Sequence, residues 1–304
     1  MAHLTGARDR GQLILIAGFV LAVTFVALAL VLNAAIFTEN LATRSESVDA
    51  SNAQTYQRAT ENAAREAFHY AHDVNNGTNG ELDGNVTDAM ADYYNQTAPE
   101  AALNGRIVNV SADTTAGTNI SGGDGGDFRD ANNNPDWDLA NDVSKSRQFT
   151  VFVSDPSQLA TPGDPEFRVI AEDGSDRWVL NMTVDGDVTV WINDSGSYSS
   201  CTFSPSGPGG GFWVNVTEQT IDDGSCPGLN WGDKPDTYDL RYENASNVKG
   251  RYSLIADGTP VTANYGSDPR ARDHLYSMTV DIVYETDGLV YETDVRIAPG
   301  ERDA

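Results

Sequence analysis

The sequence predicts an α+β protein: a long N-terminal transmembrane helix that extends as a stalk, followed by an antiparallel β-rich, sandwich-like extracellular domain. Three observations lead to this fold class. Residues 11–38 form a run without charge, and residues 13–37 would span about 37 Å as a helix, more than the roughly 30 Å core of a bilayer. Residues 39–74 contain no Gly or Pro, and the chain beyond residue 103 divides into short β-rich runs.

Changes in charge, apolar content and Gly content place the segment boundaries. In the stalk, apolar residues recur close to a helical period, and a cluster of Asn and Gly at 75–80 ends the helix. A loop with a short helix at 85–94 comes next. The predicted segments are a basic leader (1–11), the transmembrane helix (12–38), the helical stalk (39–74), the loop with its short helix (75–102) and the extracellular β-rich domain (103–304).

Alternation marks the clearest strand of the β-rich part. Tyr276, Met278, Val280, Ile282 and Tyr284 occupy every second position, which is the period of a strand with one buried face. Asp-Gly pairs at 185–186 and 287–288 predict tight hairpins. One elaborated sandwich and two packed lobes both fit the length of this part.

The leader carries a short motif at its boundary with the apolar run. Arg10-Gly11-Gln12 is followed at once by Leu-Ile-Leu-Ile, and this arrangement resembles a class III signal, the prepilin type of archaeal pilins and archaellins. In that family a prepilin peptidase cuts after the glycine, and the apolar helix becomes the filament core. The resemblance therefore implies cleavage between Gly11 and Gln12, with membrane lipid and sister pilin-like helices as partners.

The fifth residue of the implied mature chain departs from one branch of this family. Bacterial type IV pilins carry a glutamate there, whereas this chain has Ile16. The departure fits archaellins and also resembles tip pseudopilins. Two other interpretations of the N-terminus stay open: an uncut signal anchor, and signal cleavage near Ala34-Ala35.

Charge on either side of the apolar run predicts its orientation. Arg8 and Arg10 precede the run, and Glu39 follows it. The positive-inside rule then predicts a single-pass protein of the cell membrane with a cytoplasmic N-terminus and an extracellular C-terminal domain. Asn-x-Ser/Thr sequons beyond the run are candidates for glycosylation in such a location, at Asn76, Asn85, Asn95, Asn109, Asn119, Asn181, Asn193, Asn215 and Asn244.

The chain is strongly acidic. Its 19 Lys and Arg stand against 45 Asp and Glu, for a net charge of −26. Such a charge argues against nucleic acid as a partner and opposes compaction unless salt screens it. The composition resembles that of haloarchaeal proteins, and an ordinary acidic secreted protein is the alternative.

Two cysteines, Cys201 and Cys226, fall in the predicted exterior. An even count in an oxidising compartment favours a disulfide, which would close a loop rich in Gly and Pro. The alternative is a pair of buried thiols.

The sequence contains no signature of an enzyme. HExxH, G-x-S-x-G, P-loop and Rossmann patterns are missing, so no catalytic residue and no cofactor are expected.

His69 and His72 are three residues apart on one predicted helical face, which suits a metal, but no third ligand is in view and a solvated pair is expected. One alternating run of oxygen donors resembles a calcium loop, although Pro135 replaces the required Gly, and a solvated polar loop is the alternative; its members are Asp130, Asn132, Asn134, Asp136 and Asp138.

These features predict a pilin-like surface subunit, minor or located at the tip of an archaeal type IV pilus-like filament, that contributes to assembly or adhesion. The alternative is a single-pass membrane-anchored extracellular binding module that does not polymerise.

If the class III motif is used, the mature protein begins at Gln12. N-terminal sequencing of native protein measures this directly, and Gly11→Val is expected to block the cleavage because the family's peptidase cuts after glycine. A native terminus at Met1 or Ala2 would contradict the resemblance.

Overall fold

The structure is a computed structural model that describes residues 6–74, 77–205, 210–229, 237–260 and 264–301. Two helices come first, α1 (Gly6–Val74) and α2 (Asn79–Leu103). The strands follow in this order: β1 (Ile107–Asp127), β2 (Trp137–Val143), β3 (Ser146–Val153), β4 (Phe167–Glu172), β5 (Arg177–Asp185), β6 (Asp187–Asp194), β7 (Ser197–Phe203), β8 (Phe212–Asn215), β9 (Thr220–Ile221), β10 (Gly224–Ser225), β11 (Tyr238–Glu243), β12 (Lys249–Asp257), β13 (Arg270–Thr286) and β14 (Leu289–Ile297).

The predicted transmembrane helix is wrong, and so are the fold class and the single-pass, cytoplasm-to-exterior location that depended on it. Among the residues that the structure describes, no helix has a stretch both long and apolar enough to cross a membrane. The large apolar side chains that are described in this part of α1 occupy residues 19–32.

Helix α2 is much longer than the predicted helix at 85–94. Thr78 caps its first turn: the Glu81 amide donates to the Thr78 hydroxyl at 3.4 Å, and the Thr78 amide donates to the Glu81 carboxylate at 2.8 Å. This reciprocal pair is a capping box, and its Thr-x-x-Glu pattern is present in the sequence. Pro99 lies inside the last turns of α2.

The described strands form two antiparallel sheets. An eight-stranded sheet, called sheet A, has the order β10-β9-β8-β3-β12-β1-β13-β14, and a six-stranded sheet, called sheet B, has the order β2-β11-β4-β5-β6-β7. The two Asp-Gly pairs lie at the β5–β6 and β13–β14 turns. Strand β1 pairs with both β12 and β13, so it joins the parts of sheet A.

One hydrophobic core lies between the sheets. It combines side chains of sheet A, such as Phe149 and Leu254, with side chains of sheet B, such as Trp178 and Leu240, all 0% exposed. An aromatic cluster occupies part of this core, with ring centroids 4.9 to 5.9 Å apart among Phe128, Phe167, Tyr242 and Tyr252. Both sheets therefore belong to one packed unit, here called the β unit.

The two helices pack on the part of sheet A that β1, β13 and β14 form. Phe68 of α1 and Leu82 of α2 share a second core with Met278 and Val280 of β13 and Ile297 of β14. The segment predicted as a free stalk is therefore docked in its C-terminal half, because its alanine face is buried against α2 and β13.

Cys201 on β7 is joined to Cys226 by a disulfide, with 5.9 Å between the Cα atoms. Strand β7 is an edge strand of sheet B, and Cys226 precedes the short turn Pro227–Leu229. The bond therefore attaches an edge of sheet B to the chain that leads away from β10.

Reduction of the disulfide is expected to lower the free energy of unfolding by about 3 kcal/mol, because a loop of this size regains entropy in the unfolded chain. Chemical denaturation with and without reductant measures the difference. The double variant Cys201→Ser, Cys226→Ser is the control and should not respond to reductant. Equal midpoints for the oxidised and reduced wild type would contradict the expectation.

Candidate functional site

Helix α1 carries an apolar segment, residues 19–32, whose large side chains are exposed. The exposed side chains occupy consecutive positions and therefore point in all directions around the helix axis. The β unit thus covers no side of the helix in this segment. A helix that is apolar all round requires burial on several sides. The exposed fractions lie between 52% and 69%, at Phe19, Val20, Leu21, Val23, Phe25, Val26, Leu28, Leu30, Val31 and Leu32.

Thr24 is the one polar residue of the apolar segment. Its hydroxyl donates to the backbone carbonyls of Val20 at 2.7 Å and Leu21 at 2.9 Å. The hydroxyl is thus satisfied within the helix and creates no polar stripe. The segment remains apolar over its full circumference.

The C-terminal part of α1, residues 53–71, is docked. Ala53, Ala64 and Ala71 are 0% exposed and Phe68 is 1% exposed. Alanine leaves little side chain between helix and sheet, so the backbones can approach closely while Phe68 fills the space between them. The same helix therefore has a docked part and an exposed apolar segment.

Arg147 of β3 lies buried at the base of this dock, with 3% of its surface exposed. Its guanidinium donates to His274 Nε2 at 2.8 Å, to the Leu275 carbonyl at 3.3 Å and to the Pro299 carbonyl. The guanidinium carbon lies 5.3 Å from the centre of the Phe68 ring. No carboxylate of the described residues forms an ion pair with Arg147, so ring nitrogen, carbonyls and an aromatic face compensate the charge.

Two histidines in ring contact complete the cluster: the ring centroids of His72 and His274 lie 3.9 Å apart, and the ring planes are tilted by 44°. The Leu275 amide donates to His72 Nε2 at 3.2 Å, which leaves His72 Nδ1 to donate to the Phe68 carbonyl at 2.7 Å. His274 Nε2 accepts from Arg147, so both rings are neutral in this arrangement. We call Arg147, His72 and His274 the guanidinium–imidazole cluster.

Burial shifts the acid–base properties of the cluster. It lowers the pKa of His274 to about 3, with further lowering from His72 and Arg147. The pKa of His72 is also lowered, mainly by burial. Burial lowers the pKa of Arg147 to about 10, so this side chain stays cationic at neutral pH.

The expectation of a solvated histidine pair is wrong for His72, and the candidate calcium loop has other contacts. His72 belongs to the guanidinium–imidazole cluster, while His69 is exposed on α1. The Asp130 carboxylate accepts hydrogen bonds from the backbone amides of Asn132 at 2.9 Å and Asn134 at 2.7 Å. Although burial raises the pKa of Asp130, these bonds hold it below its usual value.

The rest of that loop is organised by similar bonds. Asp136 accepts from the Asn244 amide at 2.7 Å, and Asp138 lies at the start of β2. The carboxylates at 130 and 136 therefore bind backbone amides and shape the loop. In the part of the chain that the structure describes, no three His, Cys, Asp or Glu side chains come together in a way that could hold a metal ion.

Other predicted site residues are spread over the surface or fall outside the description. Arg10, Gly11 and Gln12 lie within α1, but their side chains are outside the described part, and cleavage after Gly11 stays a prediction. Asn76 is also outside the described residues. Asn95 and Asn109 are exposed, and the remaining sequons are half-buried, at Asn85, Asn119, Asn181, Asn193, Asn215 and Asn244.

Comparison with known proteins gives one match. A family model described as "Family of unknown function (DUF7261)" matches residues 7–134, less than half of the chain. This range contains α1, α2 and β1. No curated protein and no solved structure matches the chain. The similarity thus covers the helices and β1, one of the strands on which they pack, and not sheet B.

Sequence reasoning missed Arg147 and His274. A signal for Arg147 was present, since it precedes Phe149, Val151 and Val153 at the same two-residue spacing and therefore occupies a position of the buried alternation. An arginine at such a position indicates a buried cation that needs partners. His274 could not be found in this way, because its partners on α1 and β3 lie more than 120 residues away in sequence.

Acid is expected to weaken the dock of α1 through the two histidines. Both bind protons less readily in the folded protein than in the unfolded chain, where the pKa is near 6.5. Their contribution to stability is therefore complete above pH 6.5 and is lost as the pH falls from about 6.5 towards 3. Thermal unfolding of wild type and His274→Gln over this range measures it.

Wild type and His274→Gln contain the same carboxylates. The difference between their unfolding temperatures at each pH therefore reports the titration of His274. The unfolding temperature of His274→Gln should fall less steeply with acid, because glutamine accepts from Arg147 without gaining a proton. His69→Gln on the exposed face of α1 is the matched control and should follow wild type. Parallel profiles for all three proteins would contradict the role of the cluster.

Proposed function

We propose that this chain is a structural subunit of a pilin-like assembly, in which the apolar segment of α1 packs against the same segment of sister copies. The observation that carries the proposal is the exposure of that segment on every side of the helix. Several neighbouring helices are needed to cover it, as in the centre of a bundle or filament. The proposal assigns the chain no catalytic role.

The energetics favour such packing. Full burial of one Val, Leu or Phe side chain contributes roughly 1.5–3 kcal/mol. Association costs about 4–15 kcal/mol in lost freedom of motion. The ten large side chains exposed between residues 19 and 32 are therefore more than sufficient to stabilise contact between copies, even if each is only partly covered.

Charge supports the same arrangement. The chain carries a net charge of −26, but residues 11–38 contain no charged side chain. Helices can therefore meet along this run without bringing like charges together, while the acidic β units stay at the periphery. Repulsion between β units falls as salt shortens the screening length.

The motif before the run is consistent with this role. Arg10-Gly11-Gln12 resembles the processing site of archaeal prepilins, whose mature subunits assemble through the apolar helix that follows.

A charge within the apolar segment is expected to prevent assembly. Phe25→Asp places a carboxylate where Phe25 is 62% exposed and available to a sister helix. Its desolvation in a helix interface should weaken association by about a hundredfold or more. Sedimentation velocity of the purified full chain in high salt measures the size distribution.

Tyr70→Asp is the matched control, since Tyr70 is an aromatic residue of α1 with similar exposure, 58%, but lies beyond the apolar segment. This variant should assemble like wild type, and both variants should keep the melting temperature of the β unit. Assembly of Phe25→Asp to the same size as wild type would overturn the proposal.

A further inference from the structure

A groove of about 470 Å³ lies on the outer face of sheet B. The side chains that matter here belong to β4 through β7 and are Arg168, Arg177, Asn181, Trp191, Asn193 and Tyr198. The groove is far from the apolar segment of α1 in sequence and is not part of the proposed assembly surface.

The alternation of the strands places these side chains on one face. In β5, Trp178, Leu180 and Met182 enter the core between the sheets, so Arg177 and Asn181 point away from it. Pairing then aligns neighbours across the sheet: Asn181 lies opposite Arg168 on one side and Trp191 on the other. The outer face is thus a continuous row from β4 to β6.

Two aromatic rings form one side of the groove. Trp191 lies opposite Ser200, and Tyr198 lies opposite Asn193, so the rings are diagonal neighbours on adjacent strands. Their exposed fractions are 47% for Trp191 and 78% for Tyr198. Ser200 is small, and it leaves the indole uncovered from that direction. Flat, accessible rings in a concave surface are available to stack on a ligand.

Two arginines form the other side. The guanidinium of Arg177 is 3.5 Å from the Glu172 carboxylate, and that of Arg168 is 3.6 Å from the Glu243 carboxylate. These distances are longer than good hydrogen bonds, and both side chains are more than 40% exposed. Each arginine therefore has N–H donors available to an anion. The lining itself holds one acid, Glu166, and the carboxylates of Glu172 and Glu243 pair with the two guanidiniums from outside it.

The strand that carries Tyr198 is held in place. Cys201, three residues further along β7, is bonded to Cys226, and the following turn packs Gly228 against Ser199. An edge strand fixed in this way loses little freedom when a ligand binds. The groove is therefore preorganised.

We propose that this groove binds an acidic oligosaccharide with uronic-acid residues. The C–H face of a sugar ring is apolar and flat, so it stacks on Trp191 and Tyr198. The carboxylates of the uronic acid accept hydrogen bonds from Arg168 and Arg177, and the amides of Asn181 and Asn193 face the hydroxyl groups at the rim of the rings.

A proline-rich peptide is the other ligand that aromatic-lined grooves take. It offers the rings an apolar surface but has no anionic group to match two arginines. The N–H donors of Arg168 and Arg177 therefore favour the acidic saccharide over the peptide.

Isothermal titration calorimetry with tetragalacturonate tests the proposal on the full chain. Protein made without N-glycans is used, because Asn181 and Asn193 are sequon residues and an attached glycan would occupy the groove. Wild type should bind tetragalacturonate, and neutral maltotetraose should bind about tenfold more weakly or not at all. Added salt should weaken the tetragalacturonate complex.

Trp191→Ala should weaken binding about tenfold, through the lost stacking surface. Trp213→Ala is the matched control, since Trp213 is a partly exposed tryptophan on sheet A, stacked against Arg251, and its loss should leave binding unchanged. Tyr198→Ala and Arg177→Gln, at exposed positions, should also weaken binding with an unchanged melting temperature. Absence of tetragalacturonate binding, equal binding by Trp191→Ala, or preference for maltotetraose or a polyproline peptide would overturn the proposal.

Discussion

The position of helix α1 depends on a buried guanidinium that has no carboxylate partner among the described residues. Arg147 connects β3, β13, the C-terminal segment and Phe68 of α1 through hydrogen bonds and one ring contact. A buried charge must be compensated where it lies, and removal of one acceptor leaves it exposed to the full cost of desolvation. The docked part of α1 is thereby set on sheet A, and the direction of the helix follows from it.

The absence of an acid next to Arg147 is informative in a chain with 45 Asp and Glu. A carboxylate would bind the guanidinium more strongly, but it would also hold the neighbouring histidines in their charged forms. Carbonyls and a neutral imidazole accept from Nη1 and Nη2 of the same guanidinium while both rings remain neutral. The result is a dock that is stable near neutral pH and that depends on the histidines for its acceptors.

Much of the strand pattern could be predicted from local sequence. The alternation from Tyr276 to Tyr284 lies in β13, and both Asp-Gly pairs are hairpin turns, because these signals act over a few residues. The pairing of β1 with both β12 and β13 could not be predicted, since each of these two strands lies more than 100 residues from β1 in sequence. No local pattern specifies the order of strands in the sheet.

The helices show where local reasoning fails. The capping box at Thr78 is a local signal for the start of α2, but the Asn- and Gly-rich run around it predicts a loop, so the predicted helix is too short. The length and composition of the apolar run predict a membrane span, an interpretation that the described helices contradict. The groove of sheet B was not predicted either, because its rings and arginines come together only through the register of four strands.

The central claim is that copies of this chain associate through the apolar segment of α1. Electron cryomicroscopy of assemblies formed by the full chain in high salt tests this most directly. The account predicts density for packed α1 helices at the centre, with residues 19–32 in contact between copies and the β units at the periphery. Single copies only, or assemblies joined through the β units with this segment uncovered, would contradict it.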